Sequence, residues 1–232
     1  IARHPTEEYP PICFCSSTIL NWLHDSMRFD FNLLVEEPIK LIQQEEDTHT
    51  CTIAHHIVAN NGNIKDLSKV TNLSIRTKKY KNNILHCATL QRNRITIQNE
   101  DFMYMVTDET MKQMLEEENY QKVKPLTAVV INARFPFEKL ELLEQLFPGL
   151  WIRKVTWYNS SEKEPQFYEQ ELFNHLLMSK SSNVIDLLPH LNLTALPTMD
   201  KRPHLFHYMH NYVRGTELTN KLKEIFPNTR EI

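Results

Sequence analysis

The chain has 232 residues, long for one compact core and comfortable for one extended array. Its formal charge of −3 speaks against a generic nucleic-acid surface, and no apolar run approaches the ~18 residues of a membrane span. Glycine occurs only as Gly62, Gly149 and Gly215, where average usage would give roughly sixteen, and neither G-x-G-x-x-G nor G-x-x-x-x-G-K is present. Glycine-rich phosphate chemistry is thereby disfavoured, and with few alternating apolar runs the expectation is a helical fold.

Residues 1–16 read as an extended lead-in. Ile1–Pro11 carries three prolines and two glutamates and lacks the apolar core of a signal peptide. The segment Ile19-Leu-Asn-Trp-Leu-His24 reads as a helix running into a stripe of Phe29, Leu33 and Leu34. Thr52-Ile-Ala-His-His-Ile-Val-Ala-Asn-Asn-Gly62 is a second helix, and Ile64, Leu67 and Val70 form the apolar stripe of the next one. Asn83-Ile-Leu-His-Cys-Ala-Thr89 opens a further unit. Asp108–Glu118 predicts an amphipathic helix with Met111, Met114 and Leu115 on one face and acids on the other. Pro125–Asn132 and then Leu140, Leu143 and Phe147 repeat the two-helix pattern. Leu172–Met178 with Val184, Leu187 and Leu188, and Arg202–His207 with Leu218 and Leu222, repeat it twice more, until Pro227 ends the last helix.

Cys51 and Cys87 fall in apolar helical patterns, as buried thiols do, and point to a reducing compartment. The sequons at Asn72, Asn159 and Asn192 argue the other way with little weight, because an Asn-rich chain yields such triplets by chance.

"NNILHCATLQRN" resembles the ankyrin pattern T-P-L-H-x-A-A-x-x-G, and "HHIVANNGNIKDLSKV" resembles its continuation. His56 and His86 stand 86 − 56 = 30 apart, near the ankyrin period of about 33. Taking His56 as marker, the other units carry Trp22, His86, Thr127, Leu176 and His207 in its place. The resemblance implies an all-α, ankyrin-type solenoid of about six irregular helix-pair repeats over residues 17–232, with insertions at about 94–124 and 148–170. An irregular α-solenoid or a helical bundle would give similar stripes in the weaker units. The resemblance also makes His56, His86 and His207 structural, hydrogen-bonded at the start of the first helix.

Catalytic and metal constellations are weak. Cys13, Cys15 and His24, or Cys51 with His55 and His56, lack paired C-x₂₋₄-C and H-x₃₋₅-H spacing. His86 and Cys87 are adjacent on a helix and point about 100° apart, so they cannot act on one another. The expected role is therefore a non-enzymatic protein–protein interaction scaffold or regulator, without cofactor, metal, membrane or direct nucleic-acid binding, in cytoplasm or nucleus. Solvent-facing positions four and five residues past the markers would form the partner face: Asn60, Asn61, Leu90, Gln91, Asn132, Lys180, Asn211 and Tyr212. The basic loop residues Arg76, Lys78, Lys79, Tyr80 and Lys81 would join them as a projecting finger. Unit number and the phrase "PLTAVVINARFP" are similar to IκB-like inhibitors or cofactors of transcription factors; a pathogen ankyrin effector or an adaptor subunit of an enzyme complex fits the same pattern. Thermal unfolding is expected to be the same with and without a strong chelator. A large drop, with stoichiometric zinc in the untreated protein, would show that Cys13, Cys15 or His55 binds metal.

Overall fold

The computed structural model describes residues 12, 15–35, 41, 51–61, 63–90, 97–132, 137–159 and 166–172. These are mostly helical, with two small two-stranded sheets. The chain divides into two compact units, Ile1–Arg134 with Thr156–Tyr168, and Phe135–Val155 with Glu169–Ile232.

In the first unit α1 spans Ser17–Met27 and stops where Arg28 enters the left-handed region at φ 49. The Arg28 and Phe29 N–H groups then return to the carbonyls of His24 and Leu23, satisfying the end of the helix. The helix expected through Phe29, Leu33 and Leu34 does not form. Asp30 accepts the Asn32 N–H at 2.9 Å and turns the chain. Leu34–Val35 then becomes β1, antiparallel to β2, Cys51–Thr52. Cys51 thus sits in a strand, not in the helical pattern read for it. Leu33 and Leu34 are exposed while Phe31 fills the core. The Phe31 and Leu33 carbonyls accept the Ala54 and Ile53 N–H groups at 3.0 and 2.9 Å. Those are donors that the first turn of α2, Ile53–Asn61, would otherwise leave without partners.

The remaining helices of this unit are α3 (Ile64–Val70), α4 (Ile84–Thr89), α5 (Asn99–Thr107), α6 (Glu109–Glu116) and α7 (Pro125–Asn132). They pack in two rows. α2 lies on α4 and α4 on α7; α1 lies on α3 and α3 on α5. The second row is tied by polar contacts: the Asp101 carboxylate accepts the Lys65 N–H at 3.0 Å and Ser68 Oγ donates to Tyr104 Oη at 2.9 Å. Trp22, the marker expected for the first repeat, is exposed on α1 and does not take a buried place like that of His86, which corrects that reading. The described part of the range 94–124 is more than an insertion: α5 packs on α3, and α6 packs between α5 and α7. α6 starts where the Asp108 side chain accepts the Met111 N–H at 3.0 Å, and it buries Met111, Met114 and Leu115, the face predicted from their spacing.

The first-row helices are buried on almost every side. Ile53–Ala59, Ile84–Leu90 and Pro125–Val130 are buried throughout. Leu41, Cys51, Ala59, Cys87, Leu90 and Ala128 form one cluster, with Val123 packed against it. Leu90 is only 6% exposed, which corrects its reading as a solvent-facing contact residue. Burial pushes the Cys15 thiol up.

In the second unit α8, Phe137–Leu146, buries Leu140 and Leu143, the stripe expected there. Gly149 sits at φ 74 before a 3₁₀ turn, Leu150–Ile152, where a side chain at that φ would be strained. The Glu144 carboxylate accepts the N–H groups of Gly149 and Leu150 at 3.0 and 3.1 Å. Leu150, Trp151, Val155 and Leu172 complete its described core. Strands β3 (Lys154–Asn159) and β4 (Gln166–Glu171) pair with one another, so the range 148–170 adds strand to a fold expected to be all-α. The repeats expected around Leu176 and His207 lie outside the described residues.

Two histidines make the first unit sensitive to acid. His55 is pushed down to about 3 by burial and by the charges of His56 and Arg76. Burial drives His86 to about 4 despite the Val123 carbonyl and Glu117, which favour the cation. Below the ordinary value of 6.5 the unfolded chain takes up these protons while the folded chain refuses them. Stability is therefore full above that value and falls toward the folded-state values, by up to about 1.4 kcal/mol per pH unit for each histidine. Glu144, pushed up mainly by burial, acts in the opposite sense within the second unit. Urea denaturation of the first unit is expected to show a clearly lower midpoint at pH ~5 than at pH ~7; an unchanged midpoint would contradict burial of these rings as neutral bases.

Candidate functional site

Two helix starts share one chemistry, and a third is held differently. At α4, Asn83 Oδ1 accepts the His86 N–H at 3.0 Å, and His86 Nδ1 accepts the Asn83 N–H at 3.1 Å. This is a reciprocal cap that satisfies two donors at once. At α2, Thr52 Oγ1 accepts the His55 N–H at 3.3 Å and lies 2.7 Å from His55 Nδ1. At α7, Thr127 Oγ1 donates to the Lys124 carbonyl at 2.9 Å. His55, one position before the expected marker His56, thus holds at α2 the place that His86 holds at α4.

His86 also reaches outward. Its Nε2 lies 3.0 Å from the Val123 carbonyl, an acceptor, so Nε2 carries the proton and the ring is neutral. Val123 belongs to the loop before α7. With Nδ1 engaged at the cap and Cys87 buried in the core cluster, His86 cannot serve Cys87 as a base.

The loops before α4 and α7 form a pair. In the first, Thr77 N–H bonds Asn82 O at 2.9 Å and Lys81 takes φ 57. In the second, Asn119 N–H bonds Val123 O at 3.1 Å and Lys122 takes φ 61. Each tip thus carries a lysine in the left-handed region, a conformation that non-glycine residues adopt only when their surroundings hold them there. The loops join at the backbone, Tyr120 N–H to Tyr80 O at 2.8 Å, and through Asn119 Nδ2 to Asn82 Oδ1 at 2.9 Å.

Arg76 anchors this pair. Its Nη2 donates to both oxygens of Glu117, at 2.9 and 2.7 Å, and Nη1 donates to the Leu73 and Ile75 carbonyls. Asn83 Nδ2 donates to Glu117 Oε2 at 2.8 Å and to the Met114 carbonyl at 2.9 Å. Arg76 is thus committed to holding the loop, which corrects its place in a projecting contact set. Lys78, Lys79 and Lys81 are exposed, and Lys79 Nζ stands 5.1 Å from the centroid of half-buried Tyr80. Tyr120, 69% exposed, and Lys122, beside Glu118 at 3.4 Å, extend the surface onto the second loop. Neither was singled out from the sequence; the signal would have been the shared offset from His86 and Thr127, 122 − 81 = 127 − 86 = 41.

Of the other positions expected to contact a partner, Asn60 and Asn61 end α2 and Asn132 ends α7, with side chains outside the described residues. Gln91, Lys180, Asn211 and Tyr212 lie wholly outside them. Among the described residues no group of three or more His, Cys, Asp or Glu could hold a metal ion, and no helix is long and apolar enough to cross a membrane. Comparison of the chain with family models, curated proteins and solved structures gave no match.

Charge reversal separates the anchoring cation from the surface ones. Arg76→Glu is expected to lower stability by about 1–3 kcal/mol, because Glu117 loses its charge-assisted bonds in a half-buried place. Lys78→Glu, Lys79→Glu and Lys81→Glu together are expected to leave the urea midpoint nearly unchanged. Equal effects in the two variants would refute the assignment.

Proposed function

We propose that the chain is a protein–protein interaction module of the ankyrin type, whose paired loop tips present the contact surface, and that it is not an enzyme. The observation carrying this reading is the recurrence of a reciprocal helix cap at Asn83–His86 and Thr52–His55, with the His86 ring also hooked onto the next loop at Val123. Repeats that stack by nearest-neighbour contacts leave their loops aligned along one edge, and partners engage such edges. The buried first-row helices supply rigidity here, so the contact surface is assigned to the loops.

The narrower reading, an IκB-like regulator of a transcription factor in cytoplasm or nucleus, rests on the resemblance of "PLTAVVINARFP" and on unit number.

A photo-crosslinking amino acid placed at Tyr120 is expected to capture a partner protein in cells. The same probe at Glu100, exposed on α5 away from the tips, is expected to capture none. Adducts at Glu100 and not at Tyr120 would overturn the loop-tip assignment.

A further inference from the structure

We propose that the paired loop tips dock a short acidic segment of a partner protein, one carrying an apolar side chain that covers Tyr120; this rests on the interaction reading above. The charge pattern points first to sign. Between Asp66 and Glu100 the chain has no Asp or Glu but seven Lys and Arg, in a protein whose acids outnumber its basic residues overall. Lys78, Lys79 and Lys81 of that stretch are exposed at one tip, and Lys122 is exposed at the tip bonded to it. The cationic patch is therefore local, on a chain that is net negative, which is the arrangement that steers an acidic partner to one place.

Geometry supplies the second part. Tyr120 projects to 69% exposure from a backbone fixed by its N–H bond to Tyr80, and Asn119 beneath it is buried and bonded to Asn82. An exposed aromatic on an already ordered loop loses little freedom on binding and makes a natural anchor. Lys78, Lys79 and Lys81 surround Tyr80 in sequence, the residue whose carbonyl holds the Tyr120 N–H, and Glu118 stands by Lys122 in Tyr120's own loop. The cationic surface is thus short and interrupted by an acid, which suits a short acidic segment better than a long polyanion such as RNA. Nucleic acid binding also draws on many successive phosphate contacts, and the four lysines sit at two tips.

The test uses the full chain and fluorescent peptides: one with acids flanking a single Phe, one with those acids replaced by Lys, one with Phe replaced by Ser, and single-stranded oligo(U) as a polyanion. The acidic Phe peptide is expected to bind the wild type, more weakly as salt rises, and the Lys peptide not to bind. The variant with Lys78→Glu, Lys79→Glu and Lys81→Glu is expected to lose about tenfold or more in affinity, chiefly through slower association. Tyr120→Ala is expected to lose about tenfold through faster dissociation, and the Ser peptide to bind as weakly to the wild type. Unchanged unfolding midpoints keep both variants interpretable as surface changes. Equal binding of the acidic and basic peptides, tighter binding of oligo(U), or indifference to the lysine reversals would overturn the proposal. Crosslinking at Tyr120 to a partner segment without acidic excess would overturn it too, while leaving the interaction reading intact.

Discussion

Glu117 is the residue through which the first unit's irregular segments are held. Its carboxylate receives two bonds from Arg76 and one from Asn83, so three neighbouring stretches meet on one side chain: the loop before α4, the cap of α4 and the end of α6. In water such an ion pair would be worth little. Here Arg76 is largely covered and Glu117 is half-buried, and their remaining bonds go to carbonyls and an amide, so the pair is worth more than an exposed one though less than a fully buried one. The same carboxylate lies near enough to His86 to oppose, without reversing, the burial that keeps the ring neutral. A neutral ring can accept at Nδ1 and donate at Nε2, which is what joining its own helix cap to the next loop requires. Charge at Glu117 and neutrality at His86 are two parts of one arrangement.

That arrangement also decides which residues remain for recognition. Arg76 has the same charge as Lys78, Lys79 and Lys81 and stands beside them in sequence. Its planar fork suits two carboxylate oxygens and two carbonyls at once, and the structure uses it so. The lysines, compact charges on flexible stems, stay at the surface. Buried asparagines perform the matching task between loops: Asn82 and Asn119 bond to one another, and Asn119 also accepts the Gln121 and Val123 N–H groups. Irregular backbone can be buried only when such side chains complete its hydrogen bonding.

The first-row helices illustrate the converse constraint. α4 has no exposed residue, and Leu41 reaches the same cluster as Ala59, Leu90 and Ala128. A helix of six residues would be marginal alone; this one persists because its surroundings bury it on all sides. The face is consequently unavailable at Leu90 as a contact surface. Where the second row is concerned, short polar ties from Asp101 and Tyr104 keep α5 beside α3, although nine residues of the chain separate it from α4.

Much of this was legible in the residues themselves. The spacing of Ile64, Leu67, Met111, Met114, Leu115, Leu140 and Leu143 set which helix faces turn inward, because a helix repeats its direction every 3.6 residues whatever lies around it. A structural, hydrogen-bonded histidine at the start of a helix was expected from the resemblance and is found at His86, while Asn83 and Thr52 as its capping partners were not read from the sequence. Three things were decided only by contacts between distant segments. His55 rather than His56 takes the cap because Thr52 bonds it, a choice that apolar periodicity cannot make between neighbours. Leu33 and Leu34 leave the helical pattern because β1 gains a partner strand in Cys51–Thr52, seventeen residues on, and α2 gains acceptors for its first N–H groups (51 − 34 = 17). Arg76 parts from its neighbouring lysines because Glu117 lies beside it in space and 117 − 76 = 41 residues away in the chain. Local periodicity is a property of the backbone and can be read in one dimension; pairing of polar groups depends on which strangers meet, and only the folded chain brings them together.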